Sequence, residues 1–207
     1  MTINLNVKAD VIDIVSDCPQ QADIFLVDTN VWIWQTYPYP NAKNSSKIRE
    51  CGAYLKAARQ NGSTLSYSGL VLAELAHVIE RTECEIYNKS NNLALTAKEF
   101  RHNHPTERSK VVNLLQTAWM QIQNFAVSLD ELTIDESTTN AALARFQTQA
   151  LDGYDLFILE AIHKANPGQV QVITDDMDYA TVPNIQLFTS NVQVIKLAKA
   201  QGKLLRR

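Results

Sequence analysis

The stretch "DIFLVDTNVWIW", residues 23 to 34, holds four consecutive apolar residues, Ile24 to Val27, that end abruptly on an aspartate. An apolar run this short, bounded by polar residues, reads as a strand buried on both faces, as the inner strands of a parallel sheet are. Asp28 then stands at the carboxyl end of that strand, the edge where open parallel sheets bind their ligands. A turn aspartate would account for it equally well. The other acids of the chain decide between a loop and a site.

The pattern downstream is that of a parallel sheet. "KIRECGAYLKAARQNG" predicts a helix stopped by Gly62, "STLSYS" a second strand, and "GLVLAELAHVIER" a helix capped by Ser68. "ELTID" predicts a third strand, and "STTNAALARFQTQ" and "LDGYDLFILEAIHKAN" two helices, the latter ended by Pro167 and Gly168. "QVQVIT" and "IQLFTS" supply the last two strands. Strands alternating with helices give an α/β domain with a central, mainly parallel sheet of about five strands. Residues 23–200 are expected to form this single domain, preceded by a polar extension at 1–22 and followed by a basic tail at 201–207. Residues 82–126 exceed a short connection and read as a helical insertion, with Val111, Leu115, Ala118, Trp119, Ile122 and Phe125 along one side of a helix.

Composition narrows the setting. With 45% hydrophobic and 20% charged residues, the 207-residue chain has the material for one core. It contains no apolar run long enough to span a membrane, and its first twenty residues lack the basic-then-apolar order of a signal peptide. Cys18, Cys51 and Cys84 are an odd set at unrelated spacings, which suits reduced thiols and a cytoplasmic location. The net charge of −3 excludes bulk attraction to nucleic acid, although divalent cations can mediate between an acidic site and phosphate.

Four acids occupy comparable addresses. Asp28 follows one buried strand, and Asp175 and Asp176 follow another. Glu74 lies at the margin of the apolar stripe of its helix, between Leu70 and Val78. Asp155 heads the inward row Asp155, Ile158, Leu159, Ile162. Carboxylates on inward rows are costly unless paired or bound to metal. Glu80 and Glu160 are expected on the solvated sides of the same two helices. Each inward acid has a structural reading too: Asp155 as a first-turn acid, Glu74 as a partner of His77 or Arg81.

In order along the chain, "LVDTN", the glutamate of "LAEL", "YDLFILEAI" and "VITDDMDY" resemble the motifs of PIN-domain ribonucleases, among them the VapC-type toxins of bacterial VapBC toxin–antitoxin pairs. The matching positions are Asp28-Thr29-Asn30, Glu74, Asp155 and Thr174-Asp175-Asp176, with Tyr179 as the closing aromatic, over about residues 23 to 190. The chain departs from the toxins in its length, its N-terminal extension and its 82–126 segment. The resemblance implies a PIN-like three-layer sandwich and an endoribonuclease dependent on Mg2+ or Mn2+. Asp28, Glu74, Asp155 and Asp176 would be its catalytic residues, with Asp28, Asp155 and Asp176 holding the metal directly or through water. Thr29, Asn30 and Thr174 would orient the carboxylates, and Asp175 and Asp178 are expected on the rim. Hard oxygen ligands suit magnesium or manganese over zinc. An RNA substrate, an antitoxin protein laid over the groove, and a homodimer follow from the same resemblance.

Other readings compete. A catalytically silent PIN-fold RNA-binding or regulatory module would keep the fold without turnover, yet such a module usually lacks one of the acids. A haloacid-dehalogenase phosphatase needs an aspartate where Asn30 stands, and a receiver domain needs an acid pair and a lysine that are not evident. "RHNHPTERSK" reads as a solvated loop. Trp32, Trp34, Tyr37 and Tyr39 read as aromatics packing a first helix onto the sheet rather than as a base-stacking platform.

Overall fold

The structure, a computed structural model, describes residues 4–39, 44–129, 134–165 and 170–207. Its strands are β1 (Asp10–Asp13), β2 (Ile24–Val27), β3 (Thr64–Tyr67), β4 (Val127–Ser128), β5 (Val170–Ile173), β6 (Ile185–Thr189) and β7 (Leu204–Leu205). Its helices are α1 (Thr29–Thr36), α2 (Ser45–Gln60), α3 (Leu70–Asn91), α4 (Ala97–Asn103), α5 (Pro105–Phe125), α6 (Glu136–Thr148), α7 (Gly153–Ala165) and α8 (Val192–Ala200). The strands form one parallel sheet in the order β4-β3-β2-β5-β6-β1-β7.

The α/β architecture agrees with the sequence pattern, while the sheet has seven strands where about five were expected. The difference comes from the chain's two ends. β1 lies within the 1–22 extension and pairs with β6 on one side and with β7, from the basic tail, on the other. Both are short and flanked by charge, so neither shows the run of apolar residues that marks β2. The expected strand "ELTID" falls mostly outside the described residues, and the strand at that edge is β4, paired with β3. The expected stop at Pro167 and Gly168 also lies outside them.

Side chains alternate across the sheet, as the pleat requires. Leu26, Val172, Leu187 and Val11 face a core completed by α6, α7 and α8. Phe25, Val27, Ile173, Phe188 and Ile12 face the opposite core, completed by α1, α2, α3 and α5. From β2 the chain moves to β3 on one side, and from β5 to β6 on the other. The topology therefore switches between the adjacent strands β2 and β5, and a crevice is expected beyond their carboxyl ends.

Residues 82–126 form the end of α3, α4 and α5, with non-helical residues 92–96 between α3 and α4. They build a third core from Ile79, Cys84, Phe100, Val111 and Ala118, which also takes in Tyr37. Helix packing overturns three expectations. Glu80 is 5% exposed rather than solvated, because α4 and α5 close over α3 and bring Arg101 and Arg108 onto its carboxylate. Those arginines belong to "RHNHPTERSK", which is a helix–helix junction and not a loop. Glu160 is likewise 8% exposed and paired with Arg145, because α6 packs along the outer side of α7. Burying either charge without its partner would cost several kcal/mol.

Candidate active site

β2 ends at Val27 and the chain turns directly into α1, so Asp28 caps that helix. Its Oδ1 accepts a 2.6 Å bond from the Thr29 amide N–H. Its Oδ2 accepts from Asn30 Nδ2 at 2.6 Å and from the Thr174 hydroxyl at 2.5 Å. Thr174 follows β5, the strand paired with β2, so the bond spans the topological switch. The Thr174 hydroxyl also accepts from the Asp176 amide N–H at 2.9 Å, and Asp176 Oδ1 accepts from the Asp178 amide at 2.9 Å. One chain of hydrogen bonds thus connects the ends of both strands.

α7 packs against α3 and carries Asp155 inward on the row read from the sequence; Ile158, Leu159 and Ile162 are all buried. The Tyr179 hydroxyl donates to Asp155 Oδ1 at 2.8 Å. Glu74 projects from α3 at the same end of the sheet and is half-buried.

The acids sense one another. Burial raises Asp28 to about 7; hydrogen bonds from Thr174 and Thr29 oppose the rise, while the charges of Glu74 and Asp176 add to it. Burial likewise raises Asp155 to about 8, with the charges of Asp28, Asp152 and Glu74 contributing and the Tyr179 bond opposing. Glu74 is raised by burial and by Asp152 and Asp176, against a lowering influence of the Thr29 side chain. Like charges within reach of one another disfavour joint ionisation. Asp28 thus feels Glu74 and Asp176, and Asp155 feels Asp28 and Glu74, across four separate elements.

Three buried oxygens of this cluster, Thr29 Oγ1, Asn30 Oδ1 and Glu74 Oε2, complete no well-formed hydrogen bond among the described residues, although the Thr29 side chain lies close enough to Glu74 to lower its pKa. Buried polar atoms left unpaired are uncommon and suggest that a cation or water belongs there. The donor set is all hard oxygen, which fits magnesium or manganese. Yet among the described residues no three carboxylate, imidazole or thiol groups stand close enough to hold a metal between them. The fit is to an ion held by one or two carboxylates and otherwise by water, as magnesium commonly is.

Two rim residues separate. Asp178 is half-buried beside the cluster, raised by burial and by the charges of Asp176 and Asp152. Asp175, expected on the rim, is buried and paired with Lys47 of α2. Successive residues leaving a strand point to opposite faces, so Thr174 and Asp176 turn to the acids while Asp175 turns to α2. Asp152 was missed as a site residue. It is exposed just before α7 and acts electrostatically on Asp155, Glu74 and Asp178. Its place three residues ahead of Asp155 was the signal available in the sequence.

Of the aromatics, Trp32 and Tyr37 are buried and Trp34 packs on the α1–α2 core. Tyr39 is exposed and stands edge-on to Tyr37. A cavity of about 390 Å³ lined by Trp32, Leu55, Arg59 and Phe125 lies on the α1–α2–α5 flank and includes none of the acids. No helix among the described residues is long and apolar enough to cross a membrane.

No family model matches the chain, and no curated relative does. Among solved structures, that of FitAcB from Neisseria gonorrhoeae is similar at 17% identity, over 80% of this chain and 97% of the other, with a TM-score of 0.41. A likeness that distant carries no argument about what this chain does.

Proposed function

We propose that the chain is a Mg2+- or Mn2+-dependent ribonuclease whose centre is the cluster Asp28, Glu74, Asp155 and Asp176. The observation that supports it most is that burial, and after it the neighbouring carboxylates, raises the pKa of Asp28, Asp155 and Glu74, with Asp176 acting on Asp28 and Glu74. Such crowding of like charge is expensive, and a bound divalent cation would offset it. That cation, when bound, would lower the pKa of water and neutralise charge on the phosphoryl oxygens. Asp155, with a single hydrogen bond among the described residues, and Asp176 are the carboxylates most available to hold it. Asp28, bonded at both oxygens, is held rigid by Thr29, Asn30 and Thr174 and reaches the ion through water. Glu74 orients the attacking water and takes its proton.

RNA as the substrate, and an antitoxin peptide as a regulator, rest on the motif resemblance alone. A silent RNA-binding module draws support from the lack of any three-ligand cage among the described residues. Incubating the purified protein with total RNA in Mn2+, in Mg2+ and in a chelator separates the two readings. The nuclease reading expects cleavage with either ion, none with chelator, and none by Asp155→Asn or Asp28→Asn. Equal cleavage by Asp155→Asn and its parent would end that reading, and binding without cleavage would favour the silent module.

A further inference from the structure

Asp28 and Asp155 are secured in different ways. Asp28 is held by the first residues of α1 and by Thr174 just beyond β5, through three bonds shared over both oxygens. Asp155 accepts one hydrogen bond among the described residues, at Oδ1, from the Tyr179 hydroxyl. Tyr179 is fully buried in the core formed with α6, α7 and α8, so packing prevents its ring from turning away. It sits in the 3-10 turn Asp178–Thr181, and the carbonyl of the next residue, Ala180, accepts from the backbone N–H groups of Lys8 (2.8 Å) and Ala9 (3.1 Å). The segment leading into β1 therefore tethers the turn that carries the phenol.

We infer, on the reading of this cluster as a cation site, that Tyr179 is a positioning residue whose hydroxyl commits Asp155 Oδ1 and leaves Oδ2 as the oxygen offered to the ion. Without that bond the carboxylate is free to rotate about its terminal torsion, which is broad for such groups. The ion then meets a carboxylate that must be ordered on binding. Partners that orient a ligand from behind typically contribute 10- to 100-fold in metal affinity. The N-terminal segment gains a role by this account, since it fixes the turn from outside the crevice.

Tyr179→Phe removes one oxygen and keeps the ring. Mn2+ binding, followed by electron paramagnetic resonance, should weaken by about tenfold, while far-ultraviolet circular dichroism stays that of the parent. In an Asp155→Asn background the same change should weaken binding no further, because the oriented carboxylate is already gone. Unchanged Mn2+ affinity in Tyr179→Phe overturns the inference, and so does an equal loss in both backgrounds, which would indicate a structural effect only. A parent protein that binds no Mn2+ removes the ribonuclease reading itself, a different result from a parent that binds while the variant binds equally well. Should the variant not fold, ring-labelled tyrosine in the parent serves instead. Titrating with Mg2+ should move the Tyr179 Cζ resonance and leave that of Tyr87, in the α3–α5 insertion, in place; a stationary Tyr179 resonance overturns the inference.

Discussion

Asp155→Asn tests the burial of this carboxylate among like charges without any substrate. Asparagine keeps an oxygen for the Tyr179 hydroxyl and removes the negative charge, so the hydrogen bond survives while the repulsion does not. In the unfolded chain the carboxyl titrates near 3.8, and in the folded protein near 8. Between those values the folded state binds the extra proton, so stability falls as pH rises from about 4 to about 8 and the penalty is complete above that range. At ~1.4 kcal/mol for each tenfold change in proton affinity, the rise sets a ceiling of about 6 kcal/mol. Part of that ceiling is shared with Asp28, and the carboxamide must itself be desolvated, so about 2 kcal/mol is the expected gain at pH 8. For a chain of this size that is an increase in Tm of about 4–8 °C. Thermal melts of parent and variant in a chelator at pH 8 and pH 5 measure it, and at pH 5 the gain should fall to about a third or less, because only the first part of the range above the unfolded pKa has then been crossed. A variant that melts no higher than its parent at pH 8, or a difference that ignores pH, would refute the crowding.

Two further perturbations probe the frame around the site. Glu80→Ala leaves Arg101 and Arg108 without their carboxylate and should destabilise by about 2 kcal/mol, less than a fully buried pair because both guanidiniums are nearly half exposed; denaturant unfolding in low and high salt measures it. Arg207→Ala frees Asp17 and Asp23, which its guanidinium joins at 2.7–3.0 Å while lying 4.5 Å above the Phe188 ring. Burial alone would raise Asp23, but bonds from Arg207, the Gln20 amide and Gln171 outweigh it and hold the carboxyl below its usual range. The arginine's contribution is therefore present above pH ~4 and lost as pH falls through the lowered value, so the variant should cost about 2 kcal/mol at pH 7 and much less near pH 2.

Local pattern made much of the fold legible. The apolar runs of β2, β5 and β6 and the inward row of α7 each follow from side-chain period and end signals within a few residues, and each lies where the sequence placed it. The addresses of Asp28, Glu74, Asp155 and Asp176 were readable for the same reason, since strand ends and helix faces are local properties. What an outer layer covers is not local. Glu80 and Glu160 look solvated on their own helices and became buried because α4, α5 and α6 closed over them with arginines. β1 and β7 carry too few apolar residues to declare themselves, and they exist as strands because each completes the hydrogen bonding of a neighbour far away in sequence. By itself the sequence determined the parallel α/β order and the strand ends and helix faces on which Asp28, Glu74, Asp155 and Asp176 stand. Tertiary structure alone decided which face Asp175 takes, that Tyr179 holds Asp155, and that both chain ends join the sheet, because those outcomes depend on contacts between residues distant along the chain, which no local period records.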